Sequence, residues 1–209
     1  MTTTSSAYER FAGWSAIAAG VIGFLYALAF IVIQRSAPAL GGFLSALALT
    51  LLGFFSVAAL LGAYDRLRQT DAAFALWAVL LAVTGALGSL LHGGYDLANS
   101  LNPPSAANAD LPSQVDPRGL LTFAVAGLGL AVISWLIVKG GRFPRGLGYL
   151  GWLSAILLVL LYLGRLIILS PASAVILVPA ILNGFLIGPA WYVWLGTALL
   201  KPTRRAGRL

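Results

Sequence analysis

The stretch Leu157-Leu158-Val159-Leu160-Leu161-Tyr162-Leu163 decides the fold class. It shows no alternation of apolar and polar residues, so it does not read as a membrane-barrel strand. Followed outward, the apolar run extends from Leu147 to Leu169, long enough for a helix to cross a hydrocarbon core of about 30 Å. Comparable runs extend from Ala12 to Ile33, Leu40 to Ala63, Ala73 to Leu97, Gly119 to Val138 and Ala172 to Leu200. Backbone facing lipid must satisfy its own N–H and C=O groups, which leaves helices. The expectation is an all-α membrane protein: one transmembrane domain over residues 1–209, built as a six-transmembrane-helix bundle.

Composition agrees. Hydrophobic residues make up 60% of the 209 and charged residues 9%, too little polar surface to coat a water-soluble globule of this length. Breaks fall at Arg35 to Pro38, Asp65 to Asp71, Asn99 to Arg118, Lys139 to Arg145 and Ser170-Pro171. The third is long for a bundle connection and carries Pro103, Pro104, Pro112 and Pro117, which suits a cap or a surface segment.

Basic residues give the orientation. Arg10, Arg66, Arg68, Lys139, Arg142, Arg145, Lys201, Arg204, Arg205 and Arg208 fall on the side of the termini, against Arg35 and Arg118 on the other. By the positive-inside rule both termini are cytoplasmic, and a cell-membrane location follows for a multi-pass protein of this kind. The net charge of +7 has the same origin and favours anionic lipid headgroups. These charges are divided among short loops with no aromatic groove between them, so nucleic acid is not an expected partner. The first apolar run exceeds the length of a cleavable signal core and reads as a retained anchor. No cysteine is present. Trp14, Trp77, Trp135, Tyr149, Trp152, Trp191 and Trp194 lie near the cytoplasmic helix ends, where aromatic residues mark the headgroup level. Gly13, Gly20, Gly23, Gly85, Gly127 and Gly129 allow helices to approach closely.

Polar residues within the apolar runs are the candidate site. Gly85, Ser89, His92, Asp96 and Asn99 are spaced by three and four, which sets them on one face of the third helix, with Tyr95 beside them. Arg165 in the fifth helix reaches a similar outer depth, so Asp96 and Arg165 are an expected ion pair. The pair would act either as a structural clamp or as the wall of a pocket. In the sixth helix Pro179 and Pro189 each remove a helical bond around Asn183 and Gly184, which predicts a kinked or locally open segment near mid-membrane.

Several chemistries are not expected. One histidine and no cysteine cannot supply a zinc or bis-histidine haem site, and Lys139 and Lys201 stand at helix ends, away from any retinal-type linkage; no cofactor or metal is anticipated. Ser89, His92 and Asp96 have the residue types of a hydrolytic triad. The sequence Gly88-Ser89-Leu90-Leu91 lacks the G-x-S-G of rhomboid-type proteases, however, and three members on one helix face do not surround a substrate carbonyl.

The basic-Ala-Gly approach to the first helix (Arg10, Ala12, Gly13) and the run Arg145-Gly-Leu-Gly-Tyr-Leu-Gly into the fifth resemble small bacterial six-helix membrane proteins of unknown function. That resemblance implies an architecture and no activity. Three functional readings follow. The first is a non-enzymatic subunit or scaffold of a membrane assembly, with a protein partner or a second copy of itself. Another is a binding or transport protein for a small molecule, lipid or ion with a polar site in the outer leaflet, and the third is an intramembrane enzyme.

Overall fold

A computed structural model describes residues 7–103, 119–168 and 173–201. Among these residues the chain is helical with no strand, and six helices are long and apolar enough to cross a membrane: α1 Ala7–Ser36, α2 Pro38–Leu67, α3 Ala72–Leu101, α4 Leu120–Gly140, α5 Arg145–Ile168 and α6 Ala174–Leu200. This is the architecture expected of a multi-pass membrane protein. Several helices outrun the apolar runs that predicted them; α3 continues through Asn99 to Leu101. Apolarity reports where lipid begins, whereas backbone hydrogen bonding carries a helix on into the headgroup region. The cap or surface role expected of the proline-rich connection falls on residues 104–118, outside the described residues.

Local chemistry sets the helix ends. Pro38 opens α2, where its missing N–H leaves no bond unmade. Asp71 caps α3 by accepting a hydrogen bond from the Phe74 N–H at 3.1 Å. Gly141, at φ 63°, takes the left-handed conformation that ends α4.

The helices pack in chain order as a closed ring, each against the next, and α6 closes the ring against α1. Contacts are close because glycines line the seams. A Cβ on Gly85 would stand 2.6 Å from Ala126 Cα, and one on Gly129 would stand 2.8 Å from Ala82 Cα, so α3 and α4 touch backbone to backbone. Gly13 and Gly196 do the same for α1 and α6, where a Cβ on Gly196 would meet the Gly13 carbonyl at 2.5 Å.

The ring is filled unevenly. Its packed core, with Ala16, Leu67, Ile133, Leu136, Leu147 and Leu195, lies in the half that holds the start of α1 and the end of α6. That half is also pinned by Arg66, which is 4% exposed. Its Nη1 donates to the Ala198 carbonyl at 2.8 Å, and its Nη2 donates to those of Leu199 at 2.8 Å and Lys201 at 3.0 Å. Glu9 Oε1 stands 3.6 Å from Nε, and the Phe143 ring lies 5.5 Å below the guanidinium. The last carbonyls of a helix have no partners of their own and carry negative partial charge. Arg66 therefore caps α6 and ties α1, α2, α6 and the α4–α5 turn together.

Two expectations are corrected here. Trp191, expected at headgroup level, is 1% exposed and sits in the core, because the face of α6 that bears it turns toward α5. Trp14, Trp77, Tyr149, Trp152 and Trp194 are exposed as interfacial aromatics should be. The ion pair between Asp96 and Arg165 is not formed among the described residues. Asp96 Oδ2 instead meets His92 Nε2 at 3.4 Å, one turn back on the same helix, while the Arg165 guanidinium lies 5.8 Å from the Phe123 ring centroid. In the ring, α4 stands between α3 and α5, so the two residues are not on adjacent helices.

Candidate functional site

Beside the packed core the six helices surround a cavity of about 280 Å³, and every helix contributes to its wall. Three departures from regular α-helix lie along it. Leu28–Ile33 in α1, Leu120–Val125 in α4 and Asn183–Ile187 in α6 are π-helical, with hydrogen bonds spanning five residues instead of four. Phe30, Thr122 and Asn183, one from each segment, line the cavity. A π turn widens the helix and re-aims its side chains, and such turns are frequent at functional sites. In α6 the cause is legible: Pro189 has no N–H to offer, and the Gly188 N–H reaches back to the Asn183 carbonyl. Pro189 thus accounts for the irregular segment expected around Asn183, while Pro179 lies within the regular α-helix before it.

The wall is mainly aliphatic and aromatic, through residues such as Leu52, Leu130, Leu161, Phe30, Phe123 and Tyr26. Its polar groups are few and mostly neutral. Ser154 Oγ donates to Asn183 Oδ1 at 2.7 Å, joining α5 to the π turn of α6. Ser89 Oγ donates to the Gly85 carbonyl at 3.3 Å within its own helix, and Ser56 and Tyr192 add two more hydroxyls to the wall. Thr122 is 8% exposed, and its Oγ1 has no hydrogen-bond partner. Trp191 Nε1, also on the wall, has no partner either, and a buried polar group left without one calls for an explanation.

Arg165 is the one ionised residue on the described wall, where no Asp, Glu, His or Lys occurs. It is exposed while still lining the cavity, so it stands at a mouth. Tyr26, on α1, lies within electrostatic reach of Arg165 and of Asp96, which sets all three toward the same end of the bundle.

Of the seven residues singled out by sequence, the cavity gathers Ser89, Asn183 and Arg165. His92, Tyr95, Asp96 and Asn99 do not line it; they continue along α3 beyond it, with the side chains of His92 and Asp96 17% and 46% exposed. Sequence reasoning missed Tyr26, Ser56, Thr122, Ser154 and Tyr192. Serines, threonines and tyrosines scattered through apolar helices carry no linear spacing signal, because their partners come from other helices. Among the described residues no group of three His, Cys, Asp or Glu could hold a metal ion. Chemically, the site can accommodate an apolar body and offer hydroxyl donors and one cation to a polar end.

Comparison with protein-family models, curated proteins and solved structures found no match to this chain, so the reading of the site rests on its own geometry.

Proposed function

We infer that the protein binds a small amphiphilic molecule inside its helix bundle and exchanges it with the outer leaflet of the membrane. The observation that carries this reading is the cavity of about 280 Å³, walled by all six helices and running from the packed core at Trp191 to Arg165. Left empty, such a cavity deprives its apolar wall of dispersion contacts, which destabilises the bundle. Water is a poor filler for a wall made chiefly of Leu, Ala and Phe, since it needs several polar partners. An apolar or amphiphilic occupant meets both requirements.

The assignment to the outer leaflet follows from the basic residues, ten of which fall on the side of the termini against two on the other. The same charge asymmetry supports cytoplasmic termini and a cell-membrane location. The subunit or scaffold reading drew its support from a clamp between Asp96 and Arg165. With Asp96 turned to His92, that support is lacking.

The test uses purified protein in zwitterionic nanodiscs, analysed by native mass spectrometry and by lipid extraction, beside the cavity-filling variant Ala180→Phe. Ala180 is a half-buried residue on the cavity wall in α6. The expected result is a co-purifying amphiphile that the folded variant loses, with thermal melting to confirm the fold. Retention of the same molecule by a folded Ala180→Phe protein, or no bound molecule in either, would overturn the reading.

A further inference from the structure

We propose that the molecule held in this cavity is a single-chain amphiphile with an anionic head, a carboxylate or a phosphate monoester. Arg165 would receive the head, and the chain would extend toward Trp191. The inference rests on the cavity being a binding site, as argued above, and adds the chemical class of its ligand.

Charge comes first. Arg165 is the only ionised residue on the described wall, and no carboxylate there offsets it. A cation at the mouth of an apolar cavity attracts an anion, because the low-dielectric wall magnifies the Coulomb interaction. Among the described residues its contact is the face of Phe123, at 5.8 Å from ring centroid to guanidinium carbon. A contact with a ring satisfies none of the guanidinium N–H donors by a hydrogen bond to oxygen, and that planar fork of donors matches carboxylate and phosphate oxygens.

A second observation points to a ligand independently of charge. Thr122, next to Phe123 in the π-helical turn of α4, has a buried hydroxyl with no partner on the wall of the same cavity. Tyr26, on α1, lines the same cavity within electrostatic range of Arg165. A cation and two hydroxyls from three helices make a donor-rich mouth, suited to a head with several acceptor oxygens and no donors of its own.

Depth and lining select the chain. From Arg165 to Ser154 along α5, both on the wall, the helix rises about 16 Å. Leu161, Leu158 and Leu130 line the way, and the core ring of Trp191 meets the cavity beyond them. A wall of leucine, alanine and aromatic residues about 16 Å long, with a polar group only at intervals, suits an extended alkyl chain.

The test is competition in zwitterionic nanodiscs. Radiolabelled myristate is displaced by chain-matched myristyl phosphate, myristyl alcohol or myristyl ammonium, on wild type, Arg165→Gln and Thr122→Val. Binding of either anion at least ~10-fold tighter than the alcohol is expected, as one charge-assisted pair supplies. The relative affinities of myristate and myristyl phosphate tell a fatty acid from a phospholipid-derived source. Arg165→Gln should bring the anion down to the level of the alcohol and leave the alcohol unchanged, while Thr122→Val should weaken all heads alike by a smaller factor. Equal binding of acid and alcohol to wild type, or an anion preference that survives Arg165→Gln, would overturn the head assignment while leaving the cavity reading intact if Ala180→Phe still blocks the alcohol. Failure of every chain-bearing probe to bind would overturn both.

Discussion

Ser154 on α5 donates its hydroxyl to Asn183 Oδ1 on α6 at 2.7 Å, at the point where α6 passes from α-helix into its π turn. The bond spans the cavity wall and holds the amide of the irregular segment against a regular helix. Replacing Ser154 with Ala strands the amide oxygen, whereas replacing Asn183 with Leu removes the polar group and leaves a hydroxyl that can turn to its own helix.

The first prediction follows from that asymmetry. Ser154→Ala should lower stability by about 1 kcal/mol, and the double change Ser154→Ala with Asn183→Leu should cost less than the sum of the singles. Thermal unfolding of the four proteins in one detergent measures the coupling. Strictly additive costs would show that the hydrogen bond contributes nothing.

Ser134 on α4 makes the opposite case. It is fully buried, and neither its Oγ nor the nearby Trp191 Nε1 has a hydrogen-bond partner. A Cβ on Gly151 would stand 2.7 Å from that indole nitrogen and would also collide with Ser134 Oγ. Ser134→Ala removes an unsatisfied group and should be neutral or stabilising by up to about 1 kcal/mol. Gly151→Ala should destabilise, because its methyl group meets two rigid neighbours. A melting temperature that falls with Ser134→Ala and stays level with Gly151→Ala would contradict both.

Arg66 joins more elements than any other polar side chain described. Exchanging it for Met keeps the stem and deletes three hydrogen bonds to the last carbonyls of α6. Three hydrogen bonds from a buried cation are lost together, so the loss should be about 3–5 kcal/mol. Glu9→Gln should cost much less, since the carbonyl bonds remain. The comparison is made by denaturant titration in mixed micelles, and equal costs would mean that the carboxylate, not the helix cap, dominates.

Close approach of α3 to α4 depends on Gly85, where a Cβ would meet Ala126 Cα at 2.6 Å. Gly85→Val should therefore separate the two helices and destabilise the protein by about 1–3 kcal/mol or more. Gly42, where a Cβ would meet no atom, serves as the control, and Gly42→Ala should be tolerated. Thermal stability of both variants decides the matter.

Orientation is open to a direct measurement because the chain has no cysteine of its own. Gln69→Cys and Ser100→Cys place single thiols on exposed positions at opposite ends of the bundle. In intact cells a membrane-impermeant maleimide should label the thiol at position 100 and spare the one at position 69. The reverse pattern would invert the topology and move the cavity to the inner leaflet.

Much of this protein was legible in its sequence. Six apolar runs gave six helices, and Pro179 with Pro189 marked the segment that becomes the π turn at Asn183. The glycines of α1, α3 and α4 marked the close seams. These features depend on backbone chemistry or on transfer into lipid, and both are written locally along the chain.

The tertiary structure alone decided which side chains face one another. Leu157 is 8% exposed and Leu160 is 47% exposed, yet both are leucines in one helix. In water the buried face of a helix is apolar and the outer face polar, so pattern tells inside from outside. In lipid both faces are apolar, and the pattern loses that information. Hence the pairing of Ser154 with Asn183, the capping of α6 by Arg66, the burial of Trp191 and the turn of Asp96 toward His92 follow from how the ring of helices closes, which no stretch of the chain encodes by itself.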